Sequence, residues 1–102
     1  MRNSLTITAR ILPDGKPFTV IGRDAWTLAE LATAGQNGCT PIDNPAPRWS
    51  AYVHNLRRNQ RLVIQTRHEP HKGQFAGTHG RYVLQSAVEI ISRSDEPEAV
   101  AA

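Results

Sequence analysis

The chain has 102 residues, of which 39% are hydrophobic, so it has room for one small domain with a modest core but not for two. Its formal net charge of +3 is unevenly distributed, because the segment from Arg48 to Arg81 carries seven basic residues and the single acid Glu69, whereas the remainder is net acidic. We expect this cationic segment to form one surface for an anionic partner, since clustered Lys and Arg side chains replace counterions along phosphates.

The single cysteine and the lack of a long apolar run exclude other classes of protein. Cys39 has no partner for an intramolecular disulfide or a thiolate zinc site, which fits a reducing compartment, and we expect it to be a small buried residue. No apolar run approaches the ~20 residues of a membrane-spanning helix. We therefore expect a soluble, cytoplasmic protein with no membrane partner.

The first predicted element is a β-hairpin over residues 5–21. Pro13-Asp14-Gly15 supplies its turn, since proline presets φ and glycine permits a positive φ. Before the turn, four apolar residues alternate with polar ones, which is the pattern of a strand with one buried face: Leu5, Ile7, Ala9 and Ile11.

Residues 24–59 are predicted to be helical. Asp24 is a candidate N-cap for a first helix, and Gly35 is expected to end that helix as a left-handed cap. Thr40-Pro41-Ile42-Asp43 has the residue types of a helix start, but the prolines that follow limit this second helix to about one turn. A third helix is predicted from Arg48 to Asn59, with a core-facing stripe of four residues: Trp49, Tyr52, Val53 and Leu56.

Residues 61–91 are predicted to form a second hairpin, in which a strand beginning at Leu62 pairs with a strand from Arg81 to Ile91. Residues 68–80 between them contain three glycines and the isolated Phe75, as in an exposed loop at the end of a two-stranded ribbon. Residues 94–102 are acidic and small, and we expect a disordered tail there. A single domain then spans residues 1–93.

The order of these elements resembles the winged helix-turn-helix family of DNA-binding domains, in particular its small bacterial and phage-associated members. The resemblance covers about residues 23–91 and is carried by the segments GRDAWTLAELATAG, GCTPID, RWSAYVHNLRR and LVIQTRHEPHKGQFAGTHGRYVL. It implies an α+β winged helix-turn-helix fold with three helices and a C-terminal wing hairpin, here with an extra N-terminal β-hairpin. It also implies that the third helix enters the major groove and that the wing contacts the DNA backbone or the minor groove.

Carried onto this chain, the resemblance gives candidate DNA contacts on the third helix and the wing. On the helix, the candidates lie off the apolar stripe: Arg48, Ser50, Ala51, His54, Asn55, Arg57 and Arg58. Asn55 and Arg58 are the favoured base readers, because asparagine can address adenine and arginine guanine with two hydrogen bonds each. In the wing, Arg67, Lys72 and Arg81 are candidate phosphate contacts, and Arg57 on the helix is a further one. A solvated helix face, with arginines that favour the helix dipole, explains the same pattern on the helix.

Metal binding and catalysis have weaker support. His68, His71 and His79 could share an ion, but only Glu69 adds a carboxylate and a basic loop opposes cation binding, so we expect no metal and no cofactor. The acidic residues are scattered, whereas a hydrolase needs paired carboxylates or a nucleophile with its base. We therefore expect a protein that is not an enzyme.

The sequence thus predicts specific or semi-specific binding of double-stranded DNA, as in a transcriptional regulator or a phage-related DNA-binding protein. The alternative is a winged-helix interaction module for an acidic protein partner, because fold and charge alone serve both functions. No dedicated dimerisation helix is recognisable, and both a monomer and a homodimer fit the sequence.

Overall fold

The computed structural model describes residues 5–41, 48–71 and 77–94, and in these ranges the chain forms an α+β structure of five strands, two α-helices and one short 3₁₀ helix. The bounds in chain order are β1 Thr6–Ile11, β2 Phe18–Ile21, α1 Arg23–Ala34, the 3₁₀ helix Gly35–Asn37, α2 Trp49–Gln60, β3 Ile64–His71, β4 Gly77–Leu84 and β5 Val88–Ser94.

The amino-terminal strands belong to a three-stranded antiparallel sheet in the order β2-β1-β5. The predicted hairpin is present, with Ile7 opposite Val20 and Ala9 opposite Phe18. The alternation is also confirmed, because Ile7, Ala9 and Val20 are buried. The hairpin is not an extra unit, however, since β5 pairs with the other edge of β1 and joins it to the end of the domain.

The predicted single strand from Arg81 to Ile91 is wrong, because β4 and β5 are separate strands in different sheets. β3 and β4 form a two-stranded antiparallel ribbon from the pair Ile64–Leu84 outwards. The chain then turns at residues 85–87, where the amides of Gln85 and Ser86 both donate to the carbonyl of Val63. The wing therefore ends at Leu84, and Ser94, expected in the tail, is the last residue of β5.

The helical region contains two α-helices among the described residues, where three helices were predicted. α1 begins after Gly22 without a side-chain cap, so Asp24 lies in its first turn rather than at the cap. Gly35 ends the helix as expected and has a positive φ of 58°, but its ψ of −133° differs from the predicted left-handed cap. α2 lies within one residue of the predicted third helix. Thr40 and Pro41 are not helical, and the rest of the predicted second helix falls on residues 42–47, outside the described ranges.

One continuous core joins the two helices to both sheets. Trp49 is buried at its centre, with its ring 5.4 Å from that of Trp26 on α1 and stacked 5.8 Å from that of Tyr82 on β4. Cys39 is fully buried as predicted, and its backbone pairs with that of Tyr82 through two hydrogen bonds of 2.8 and 2.9 Å. This single bridge holds the segment after α1 against the edge of the ribbon. Neither 12-residue helix is long enough to cross a membrane.

Candidate nucleic-acid interface

The exposed side of α2 carries a short polar stripe. Trp49, Val53 and Leu56 turn inwards and fix the buried side of the helix. Ser50, His54 and Arg58 are all exposed and recur every four residues, so they lie on one face on the other side of the helix. At 1.5 Å per residue the stripe is about 12 Å long.

One flank of this stripe is closed by α1. Asn55 is half-buried, and its Nδ2 donates to Oδ1 of Asp24 at 3.2 Å, which ties α2 to the first turn of α1. A bidentate contact with adenine needs both the amide nitrogen and the amide oxygen of asparagine. The contact with Asp24 uses one of the two N–H groups of the Asn55 amide, so it restricts the orientation in which Asn55 could address a base.

The other flank is closed by the ribbon. The Nε and Nη2 atoms of Arg57 both donate to the carbonyl oxygen of Ile64, with Nε at 3.1 Å, and Nη2 also donates to Oγ1 of Thr66 at 2.8 Å. Arg57, predicted as a phosphate contact, is thus engaged with β3. The polar stripe lies between α1 on one side and the ribbon on the other.

The strand register shows which ribbon side chains share a face with α2. Thr66 lies opposite Tyr82 and His68 opposite Gly80. Because Thr66 bonds Arg57 and Tyr82 stacks on Trp49, this is the face that packs on α2. His68 is exposed and continues that face along the ribbon.

Two of the predicted wing contacts, Arg67 and Arg81, lie on the opposite face. Arg67 is directly opposite Arg81, and Glu69 is directly opposite His79. Side chains alternate along a strand, so these four residues point away from the face that bears Thr66. The expectation that the basic residues of helix and ribbon form one surface is therefore wrong for Arg67 and Arg81, which are separated from the α2 stripe by the ribbon itself.

Arg81 is bound within the protein. Its Nε lies 2.6 Å from Oε2 of Glu69, and its Nη1 donates to the carbonyl oxygen of Asn37 at 2.8 Å. His79 Nε2 lies 3.1 Å from Oε1 of the same carboxylate. The hydrogen bond from Arg81 holds the pKa of the Glu69 carboxyl below its ordinary value. This cluster joins β3, β4 and the 3₁₀ helix.

The three histidines considered for a metal site do not all converge. His68 and His79 occupy opposite faces of the ribbon by register, so they cannot share an ion. The side chain of His71 lies outside the part of the structure that is described. Among the side chains that are described, no three His, Cys, Asp or Glu residues are grouped closely enough to hold a metal ion.

The cations that remain available lie at the ends of the α2 stripe. The side chains of Arg48, Arg58 and Arg61 are exposed and make no hydrogen bond or ion pair with other residues in the described ranges. Arg48 and Arg61 flank the helix, both in the left-handed conformation, with φ 64° and 59°. Arg61 was missed by the sequence analysis, although it follows Arg58 by three residues, and the strand alternation could also have indicated His68. Lys72 and Phe75 lie outside the described residues.

Comparison with known proteins agrees with this arrangement. No curated protein sequence and no solved structure matches the chain. A family model described as a winged helix domain matches residues 17–94, which include both helices, the ribbon and β5. This match spans more than half of the chain and confirms the resemblance noted in the sequence, so the protein belongs to the winged helix domain family.

Proposed function

We propose that this protein binds double-stranded DNA by placing the exposed stripe of α2 in the major groove. Membership of the winged helix domain family supports DNA binding in general. The observation that carries the proposal is the row of Ser50, His54 and Arg58 on one open face of α2, with unpaired cations nearby. We further propose the role of a transcriptional regulator, or of a phage-related DNA-binding protein, in the bacterial cytoplasm.

The side chains along the stripe differ in length, so the start of α2 can lie closer to the base edges than its end can. Ser50 and Ala51 are small and lie in the first turn of α2, so this end can come close to base edges. Arg58, one turn after His54, is the candidate reader of guanine, a contact that contributes about 1–3 kcal/mol of discrimination. Arg48 and Arg61 lie just beyond the two ends of the 12-residue helix. At 1.5 Å per residue they are about 20 Å apart along the helix axis, so each can meet a phosphate at its own end of the helix, while the major groove, about 12 Å wide, admits the helix between them.

The wing has a secondary part in this proposal. His68 extends the face that packs on α2, and Arg67, although its Nε donates to Gln65 Oε1 at 3.2 Å, is exposed on the other face. A ribbon that presents His68 on one face and Arg67 on the other can meet phosphates of two strands when it lies edge-on to the duplex. Lys72 stays a predicted phosphate contact near the ribbon end. Binding requires no catalysis, metal or cofactor.

Selection of bound sequences from a pool of random duplexes tests this function. We expect enrichment of a short motif, and its symmetry would distinguish a homodimer from a monomer. Affinity for the selected duplex should fall steeply with salt, with a slope in log–log form of about −0.9 for each phosphate neutralised. Arg61→Ala should lower the slope by about one, whereas Arg58→Ala should relax the preference at one base position.

Lys16→Ala serves as the matched control, because Lys16 is an exposed cation in the β1–β2 connection of the other sheet. It should change neither the slope nor the motif. Failure of the pool to enrich, or affinity that is independent of ionic strength, would contradict DNA binding. Capture of an acidic protein that survives nuclease treatment would instead support the interaction module as the function.

A further inference from the structure

We propose that Arg57 is a positioning residue that sets the angle of the wing relative to α2, rather than a residue that touches DNA. The consequence for DNA binding rests on the proposed function. The tie itself, by which we mean the hydrogen bonds from Arg57 to Ile64 and Thr66 of β3, is a property of the free protein. It assigns to Arg57 a role different from the phosphate contact that its charge and place in the sequence predict.

The contacts of Arg57 support this role. An arginine side chain has five N–H donors in a fixed plane. Nε and Nη2 of Arg57 together direct three donor contacts at β3, two to the carbonyl oxygen of Ile64 and one to Oγ1 of Thr66. Such a fork fixes direction as well as distance, which a single lysine ammonium group does not do.

The tie lies where the wing leaves the body of the domain. Ile64 is the first residue of β3 and is buried, and only residues 61–63 separate it from the end of α2. On the opposite face of the ribbon, Arg81 donates to Asn37 O and pairs with Glu69. The base of the ribbon is therefore held by a guanidinium group on each face.

The length of the ribbon makes its base angle important. From Thr66 to the end of β3 at His71 the strand extends about 17 Å at 3.4 Å per residue. A rotation of about 10° at Thr66 would shift that end by about 3 Å, which is the length of a hydrogen bond. Loss of the Arg57 fork would therefore move the DNA-contacting side chains of the wing away from their phosphates, although none of these side chains is removed.

Three substitutions separate positioning from phosphate contact. Arg57→Lys keeps the charge but removes the fork, Thr66→Val removes one acceptor without changing charge, and Thr66→Ser keeps the hydroxyl. Arg58→Lys, at an exposed side chain with no intramolecular partner in the described ranges, is the matched control for Arg57→Lys in the free protein only, because Arg58 is itself a proposed base reader.

The first measurement is amide hydrogen exchange along β3 and β4 in the free protein. We expect exchange to quicken about tenfold or more in Arg57→Lys, as for the loss of a hydrogen bond to a charged donor, and less in Thr66→Val. Thr66→Ser and Arg58→Lys should match the natural protein. Unchanged exchange in both Arg57→Lys and Thr66→Val would overturn the inference, whatever the protein binds.

The second measurement is hydroxyl-radical footprinting on the selected duplex. We expect Arg57→Lys and Thr66→Val to lose backbone protection under the wing while keeping the base preference set by α2. A phosphate contact would give the reverse, with full protection in Arg57→Lys and no effect of Thr66→Val. If no duplex is bound at all, the proposed function and the DNA part of this inference both fail, and hydrogen exchange still decides whether the tie exists.

Discussion

Gly38 offers the sharpest test of how the ribbon is attached to the helices. It precedes Cys39, whose backbone pairs with Tyr82, and has φ 69°. A Cβ atom at this position would lie 2.6 Å from Tyr82 O and 2.8 Å from Val83 Cγ2. The Tyr82 carbonyl already accepts from the Cys39 amide at 2.9 Å, so it cannot move without breaking the bridge.

Gly22 provides a matched control, because it also has φ 69° but nothing within 4 Å of an added Cβ. Both alanine substitutions carry the cost of a sparsely populated backbone conformation, about 1–3 kcal/mol. Gly38→Ala adds overpacking of about 1–3 kcal/mol. We therefore expect about 2–6 kcal/mol of destabilisation at Gly38, a large part of the total of about 5–15 kcal/mol typical of such domains.

Urea unfolding followed by fluorescence of Trp26 and Trp49 measures both variants directly. The two glycines share φ 69°, with ψ −134° at Gly22 and −177° at Gly38, so the difference between the two free energies of unfolding reports the steric part together with the difference in backbone cost between these ψ values. Equal destabilisation of Gly38→Ala and Gly22→Ala would show that the close approach to Tyr82 does not exist, and the attachment of the ribbon edge described above would then be wrong.

Three further substitutions test other contacts. Arg61→Gly relieves the left-handed conformation at the end of α2 and should raise the free energy of unfolding by about 1 kcal/mol and Tm by about 4–8 °C; an unchanged Tm would refute the strain. Arg81 lowers the pKa of Glu69, so the stability contributed by this carboxylate is present above the ordinary pKa of about 4.3 and is lost as pH falls through the folded-state pKa. The free energy of unfolding of the natural protein should therefore exceed that of Glu69→Gln at neutral pH, and the difference should disappear in that acidic range. Asn55→Asp places a second carboxylate beside that of Asp24, so it should lower the free energy of unfolding by about 1 kcal/mol at pH 7, and acid should restore it. If the free energy of unfolding equals that of Asn55→Ala both at pH 7 and in acid, the contact between Asn55 and Asp24 is contradicted.

The sequence predicted those helices and strands that are defined by the spacing of apolar residues within a single segment. Ile7 and Ala9 in the predicted alternation, and Trp49, Val53 and Leu56 in the predicted apolar stripe, are buried. Leu5, Ile11 and Tyr52, predicted to share those faces, are half-buried. The break between β4 and β5 was missed because residues 85–87 contain neither glycine nor proline. What defines β5 is its pairing with β1, about 80 residues away in the chain, and no local pattern reports such a partner.

The candidate site shows the same limit. The exposed stripe of α2 follows from helical periodicity, so Ser50, His54 and Arg58 could be placed together from sequence. The engagement of Arg57 with β3, and of Asn55 with Asp24, depends on which element packs beside each side chain. Charge alone identified a basic segment but did not distinguish an arginine bound inside the fold from one that is available to a ligand.

The position of β5 has a consequence for how the protein is made. β1 completes its sheet only by pairing with residues 88–94, so the β1–β2 hairpin lacks its third strand until these residues, about 80 positions further along the chain, have been synthesised. Such distant pairing also slows folding, because a long loop must close before its contacts stabilise it. A shortened product that stops after β4 would lack β5, so one edge of β1 would be unpaired and open to aggregation.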